Sequence, residues 1–163
     1  MKNFRFSLSK YGSLFLWYCP FLVVQCISAY VTFKSLNPWY LELKKAFWNP
    51  PSWVFGPVWT ILYIMITFSI WLVYLSKKGG ALKKAAFFLF WLQLGSNFLW
   101  SLLFFGFQSP FYALIDLSIL LILIFLMTIV FFRIKRLSGC LLIPYLGWCL
   151  YAYTLNMAIV IMN

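Results

Sequence analysis

Histidine is absent from this chain, and only two residues, Glu42 and Asp116, carry a carboxylate side chain. The absence of imidazole removes the usual general base, the Ser-His-Asp constellation and the commonest zinc ligand. No pair of carboxylates suited to hydrolytic acid-base chemistry stands out, since one acid falls in the long connection and the other inside a span. The four cysteines, Cys19, Cys26, Cys140 and Cys149, lie within apolar stretches without metal-ligand spacing, so they read as small hydrophobes, not as a disulfide framework or a metal cluster. No glycine-rich phosphate loop and no internal repeat is present, which leaves hydrolytic and group-transfer catalysis without its parts.

What fills the 163 residues is apolar: 65% hydrophobic, 23% aromatic, with a mean hydropathy of +0.94. Such a chain has too few charges for a soluble surface. Five runs near the 20 residues needed to cross a bilayer are expected to span it, at about 14–33, 53–75, 85–107, 111–132 and 140–162. They are apolar on every side, which disfavours a transmembrane barrel and makes the expected fold an all-α bundle of five membrane helices in one domain, 1–163. Lys2, Arg5 and Lys10 precede the first run as in a signal peptide, but its length and the lack of a small-residue cleavage site favour a retained helix.

The net charge of +11 could point to nucleic acid or to anionic lipid, but its placement explains it better, with membrane lipid an expected partner of the spans. Ten of the thirteen basic residues fall in the N-terminal tail (Lys2, Arg5, Lys10) and in the links after the second and fourth runs (Lys77, Lys78, Lys83, Lys84; Arg133, Lys135, Arg136). Those segments share one side, so the positive-inside rule puts the N-terminus inside and the C-terminus outside, and no nucleic-acid partner is needed. Short links are expected to make successive helices antiparallel neighbours.

The long connection 34–49 carries Leu36, Trp39, Tyr40 and Leu43 at helical spacing and reads either as a short interfacial helix or as a lid. After it, Asn49 is expected to cap the second helix with Pro50 at its first position, and Pro57 to bend it. Trp59 and Tyr63 share one face there, while Trp48 and Trp53 suit the headgroup level. Pro20 and Pro144 are expected to bend the first and fifth spans.

Polar side chains inside hydrocarbon narrow the choice of site. Gln93, Ser96, Asn97 and Trp100 form a stripe on the third span, and Tyr145, Trp148, Ala152 and Asn156 form one on the fifth. A buried amide without a partner costs several kcal/mol, so each stripe must either bind its neighbours or a ligand. Two facing rows of amides and indoles suit a flat, mostly apolar molecule. Asp116 in the fourth span and Gln25 in the first are functional candidates or interhelical partners.

Trp39-Tyr40, the run Trp48-Asn49-Pro50-Pro51-Ser52-Trp53-Val54-Phe55-Gly56-Pro57-Val58-Trp59, then Gln93, Asn97 and Trp100 with Phe104-Phe105-Gly106, Ala113-Leu114-Ile115-Asp116, Pro144-Tyr145-Leu146, Trp148, Ala152 and Thr154-Leu155-Asn156 resemble, in order and spacing, the tryptophan-rich sensory protein and translocator protein family. The resemblance covers nearly everything from Trp39 onward. It implies a five-helix bundle, usually a homodimer, whose cavity opens beneath the first long loop and receives porphyrins or benzodiazepine-type drugs. By position it implies a pocket of Trp59, Asn97, Trp100, Asp116, Trp148 and Ala152, with Tyr40, Pro50, Pro51, Gln93, Phe105 and Tyr145 nearby. Met157 stands where animal members have the tyrosine of their sterol pattern, and Phe88 and Leu92 replace glycines of their dimer contact, so the chain looks like a bacterial member of the inner membrane.

The expected function is that of a membrane tetrapyrrole sensor or translocator. No resident cofactor is required, and porphyrin or weakly held haem is the ligand, since the commonest axial haem ligand is missing. Light-dependent porphyrin degradation through Trp59 and Trp148, which some relatives are reported to carry out, and a scaffold that regulates a partner protein are the alternatives.

Overall fold

The computed structural model describes residues 2–163, with side chains from Gly12 onward, so the tail residues Lys2, Arg5 and Lys10 lie outside the described side chains. Five helices make up the protein: α1 (Lys2–Ser35), α2 (Phe55–Leu75), α3 (Gly80–Ser101), α4 (Pro110–Ile134) and α5 (Arg136–Met162). Each includes a segment long and apolar enough to cross a bilayer, and no strand occurs among the described residues, so the chain is an all-α integral membrane protein.

The helices do not pack in sequence order. α4 lies along both α3 and α5, α5 along α2, and α1 completes the circuit by touching α2 and α3. The short α2–α3 link was expected to make these two helices neighbours; they meet only weakly, because α5 takes the face of α2 on which serine allows close approach. There Ser69 Oγ donates to Ser138 O at 2.8 Å and Ser138 Oγ donates to Ser69 O at 2.7 Å, both residues fully buried. Ile66, Ile70, Phe90, Ile124, Met127 and Phe131 fill the interior around this contact.

Prolines decide the connection between α1 and α2. Of the two readings of Leu36 to Leu43, the amphipathic helix holds only in part: Asn37, extended at φ −117° and ψ 130° as the residue before a proline tends to be, breaks the wide turn Leu36–Tyr40, and helical backbone continues only to Glu42. Nor does Asn49 cap α2. Its N–H closes a turn onto Ala46 O at 3.0 Å and its side-chain amide donates to Pro50 O at 3.0 Å. Pro50 and Pro51 bias the residues before them toward extended backbone, and Pro51 itself stays extended at ψ 142°, so a 3-10 turn, Ser52–Val54, starts only beyond it and leads into α2 at Phe55. Pro57 therefore occupies the first turn of α2, where a missing N–H costs nothing and no bend is required. Pro20 and Pro144 do lie inside α1 and α5.

The connection is fastened down. Lys44 N donates to Asn163 Oδ1 at 2.9 Å while Asn163 Nδ2 returns to Lys44 O at 3.1 Å, and Tyr151 OH donates to Trp48 O at 2.7 Å. Ser35 Oγ donates to Phe105 O at 2.6 Å, and Tyr40 packs on Phe104 and Phe105. Trp53 and Phe47 project outward, as headgroup anchors do.

Replacing Ser138 by valine removes one reciprocal hydrogen bond and forces a branched side chain into a closed contact. A loss of about 2–3 kcal/mol is expected, read as a lower melting temperature in the same detergent, and an unchanged melt would show that the α2–α5 contact tolerates expansion.

Candidate functional site

The circuit of helices leaves one side of the bundle unfilled. A cavity of about 420 Å³ lies between α1, α2, α3 and α5, with Leu117 and Leu120 of α4 behind it and Leu36, Tyr40, Asn49 and Ser52 of the connecting segment at its rim. Its walls are aromatic: Trp59 on α2, Trp100 on α3, Trp148 on α5, and Phe104 and Phe105 in the wide turn Leu102–Gly106 that ends α3. No lysine, arginine, aspartate or glutamate lines it.

The polar floor comes from the two stripes, which face one another. Tyr145 OH donates to Gln93 Oε1 at 2.9 Å and accepts from Asn97 Nδ2 at 3.3 Å, and Tyr63 OH donates to Asn97 Oδ1 at 2.7 Å. All four side chains are buried. Higher up, Trp100 Nε1 donates to Asn156 Oδ1 at 3.1 Å, and Asn156 Nδ2 to Pro110 O at 2.8 Å. Trp59 stands against Tyr63 and Tyr145, with ring centroids 5.4 and 6.2 Å away. Both amides of the α3 stripe thus hold helices together, while Asn97 also reaches the cavity wall.

Of the sequence-derived candidates, Tyr40, Trp59, Asn97, Trp100, Phe105, Trp148 and Ala152 line the cavity together. Pro50, Pro51, Gln93, Asp116 and Tyr145 do not. Gln93 and Tyr145 sit one layer below, joined by the hydrogen bond just described, while Gln93 Nε2 is buried without a protein partner among the described residues. The two prolines shape the chain at the rim while their neighbours Asn49 and Ser52 face inward. Asp116 lies on the α3–α4 seam, accepting from Ser96 Oγ at 3.1 Å, its second oxygen buried without a protein partner among the described residues.

One wall escaped the sequence reading almost entirely. Gln25, Ser28, Ala29 and Thr32 of α1 line the cavity, and their spacing of three, one and three was a legible polar stripe of which only Gln25 stood out. Gln25 Nε2 donates to Thr60 Oγ1 at 3.0 Å and so ties α1 to α2. Two buried polar atoms of cavity residues lack a protein partner among the described residues, Ser28 Oγ and Trp148 Nε1. The indole can only donate, so it calls for an acceptor in the cavity. At the rim, Lys45 Nζ donates to Leu43 O at 3.1 Å and rests over the Tyr40 ring, and desolvation lowers its pKa below the ordinary lysine value.

The sequence that builds this arrangement matches a known group of proteins. The sequence profile of the TspO/MBR family covers residues 17–162. The chain belongs to the TspO/MBR family. It is 41% identical over 146 residues to the tryptophan-rich protein TspO of Archaeoglobus fulgidus, covering 87% of this chain and 91% of that one. It is 37% identical over 120 residues to the human translocator protein, covering 72% and 70%. It is 33% identical over 133 residues to the tryptophan-rich sensory protein of Cereibacter sphaeroides, covering 80% and 82%. Family membership and five apolar helices agree on a membrane protein of the sensor and translocator kind.

Tyr145→Phe would leave Gln93 Oε1 and Asn97 Nδ2 without this partner in a buried layer, with an expected loss of about 1–3 kcal/mol. The check is chemical or thermal unfolding of the detergent-solubilised protein against Tyr151→Phe, whose hydroxyl bonds at an exposed site and whose loss should cost less.

Proposed function

We propose that the protein binds a planar tetrapyrrole within the helix bundle and acts as its membrane sensor or translocator. The observation that carries this reading is the uncharged, indole-walled cavity with unpartnered polar groups on opposite walls, Ser28 on α1 and Trp148 on α5. A volume of about 420 Å³ falls in the range of small-molecule sites, roughly 300–1,000 Å³. Flat indole faces favour a flat π-system, and the absence of charge requires the buried part of the ligand to be neutral. A porphyrin meets both conditions if its propionates point to the rim, the end that also carries Lys44 and Lys45. Covering roughly 300 Å² of apolar ligand surface at about 25 cal/mol per Å² contributes about 7 kcal/mol, less whatever the ligand already gains from dissolving in the bilayer. Ring burial alone therefore corresponds to an affinity of about 10 μM at best.

Protoporphyrin IX titrated into purified protein should quench tryptophan fluorescence saturably. Ala152→Phe, which fills the cavity, and Trp148→Phe, which deletes the donor, should each weaken binding about tenfold or more. A linear signal insensitive to both changes is micelle partitioning and overturns the proposal.

Trp59 and Tyr63 line the cavity together, and the contact of Trp59 with Tyr145 behind the wall gives an oxidisable ring beyond the first, which favours light-dependent degradation as the second reading. Loss of the porphyrin Soret band under illumination but not in the dark, with the loss abolished in Trp59→Phe plus Trp148→Phe, would support it. Retained spectra in the light would leave binding alone.

A further inference from the structure

The end of the bundle opposite the cavity rim poses an electrostatic problem. The links α2–α3 and α4–α5 meet there, because Lys78 Nζ donates to Arg133 O at 2.7 Å, so their basic residues form one surface. Lys78 thereby serves the C-terminal carbonyls of α4, and Lys83 serves those of α2, donating to Tyr74 O at 2.8 Å and Ser76 O at 2.9 Å. Arg133 lies in the last turn of α4, where a cation suits the helix dipole. Lys77, Lys84, Lys135 and Arg136 have no such role, and all four are exposed.

Their surroundings are already positive. α3 and α5 both begin at this end, and neither has an acidic residue in its first turn nor a side-chain cap. Arg136 is the first residue of α5, and Lys84 follows the first turn of α3, which is the wrong sign for a helix N-terminus. The chain offers no remedy: of its two acids, Glu42 is in the α1–α2 connection at the other end, and Asp116 is in the second turn of α4, towards that same end. Exposed Leu75 and Leu137 flank the basic residues. A dissolved anion has no use for such apolar shoulders, whereas an acyl chain does.

We propose that this surface binds anionic phospholipid headgroups, the phosphates lying between the two links over the starts of α3 and α5 while the acyl chains run along the adjoining apolar flanks. The counter-charge that the sequence omits is supplied by the membrane. This inference stands apart from the porphyrin reading, since none of its residues lines the cavity.

The test is lipid retention by the full-length protein in a neutral detergent, measured by native mass spectrometry with phosphatidylglycerol or phosphatidylcholine of identical chains. The intact protein should retain phosphatidylglycerol at least tenfold better, and the combined change Lys77→Gln, Lys84→Gln, Lys135→Gln, Arg136→Gln should abolish that preference. Lys34→Gln with Lys44→Gln at the rim should preserve it. Equal retention of the two lipids, a preference surviving the four changes, or one competed away by inorganic phosphate at the lipid's own concentration would overturn the proposal. Should the fourfold variant not fold, Lys84→Gln and Arg136→Gln singly should each lower the preference, and no decrease in either would count against it equally.

Discussion

The fold turns on the requirement that a polar group inside hydrocarbon have a partner. Helices satisfy it for the backbone; side chains must satisfy it for themselves. Here Tyr145 is the hub, because its single hydroxyl bonds to both amides of the α3 stripe while Tyr63 of α2 occupies the remaining acceptor of Asn97. Three helices are thereby fixed in rotation about their axes. Apolar packing alone would leave that rotation open, since each helix is hydrophobic around most of its circumference. Once α3 and α5 are locked face to face, Trp100 and Trp148 above them must point into the same volume. The cavity is thus a by-product of the layer that seals it.

Much of this was legible in the sequence and some was not. Membrane helices announce themselves by length and apolarity, and the facing stripes by spacings of three and four among residues that hydrocarbon penalises. The order of helices in the bundle had no such signal, because a short link limits the distance between two helix ends without choosing which faces touch. The serines that do choose, Ser69 and Ser138, look like ordinary small residues until their reciprocal bonds are seen. The polar residues of α1 give a weak signal for a related reason: Ser28 and Thr32 are mild enough to be tolerated in lipid-facing positions, so their periodicity alone does not mark a cavity wall.

Proline was read by position when its local consequence mattered more. Asn49 followed by Pro50 has the form of a cap and a first helical residue, yet a second proline and the extended backbone before it delay the helix to Phe55. The same rule at Pro38 breaks the apparent amphipathic helix over the rim. Both departures serve the cavity. A continuous helix there would have turned Tyr40 with its own period; the broken chain instead seats Tyr40 on Phe104 and Phe105 and lets Asn49 and Ser52 face inward.

Division of labour follows from the two ends of the bundle. At the rim, polar bonds from α5 through Tyr151 and Asn163 hold the connecting segment over a neutral, aromatic hollow, and only exposed or rim-bound lysines are nearby. At the opposite end, positive charge is concentrated beyond what the helices can neutralise. α1 is the least buried of the five spans, tied to α2 through Gln25 and to the end of α3 through Ser35, yet it contributes a full wall of the cavity. A ligand that accepts from Trp148 on α5 while touching Ser28 on α1 would join the least buried wall to a helix packed along both α2 and α4. Under the proposed reading, occupancy would bear first on α1, the helix that packing within the chain buries least.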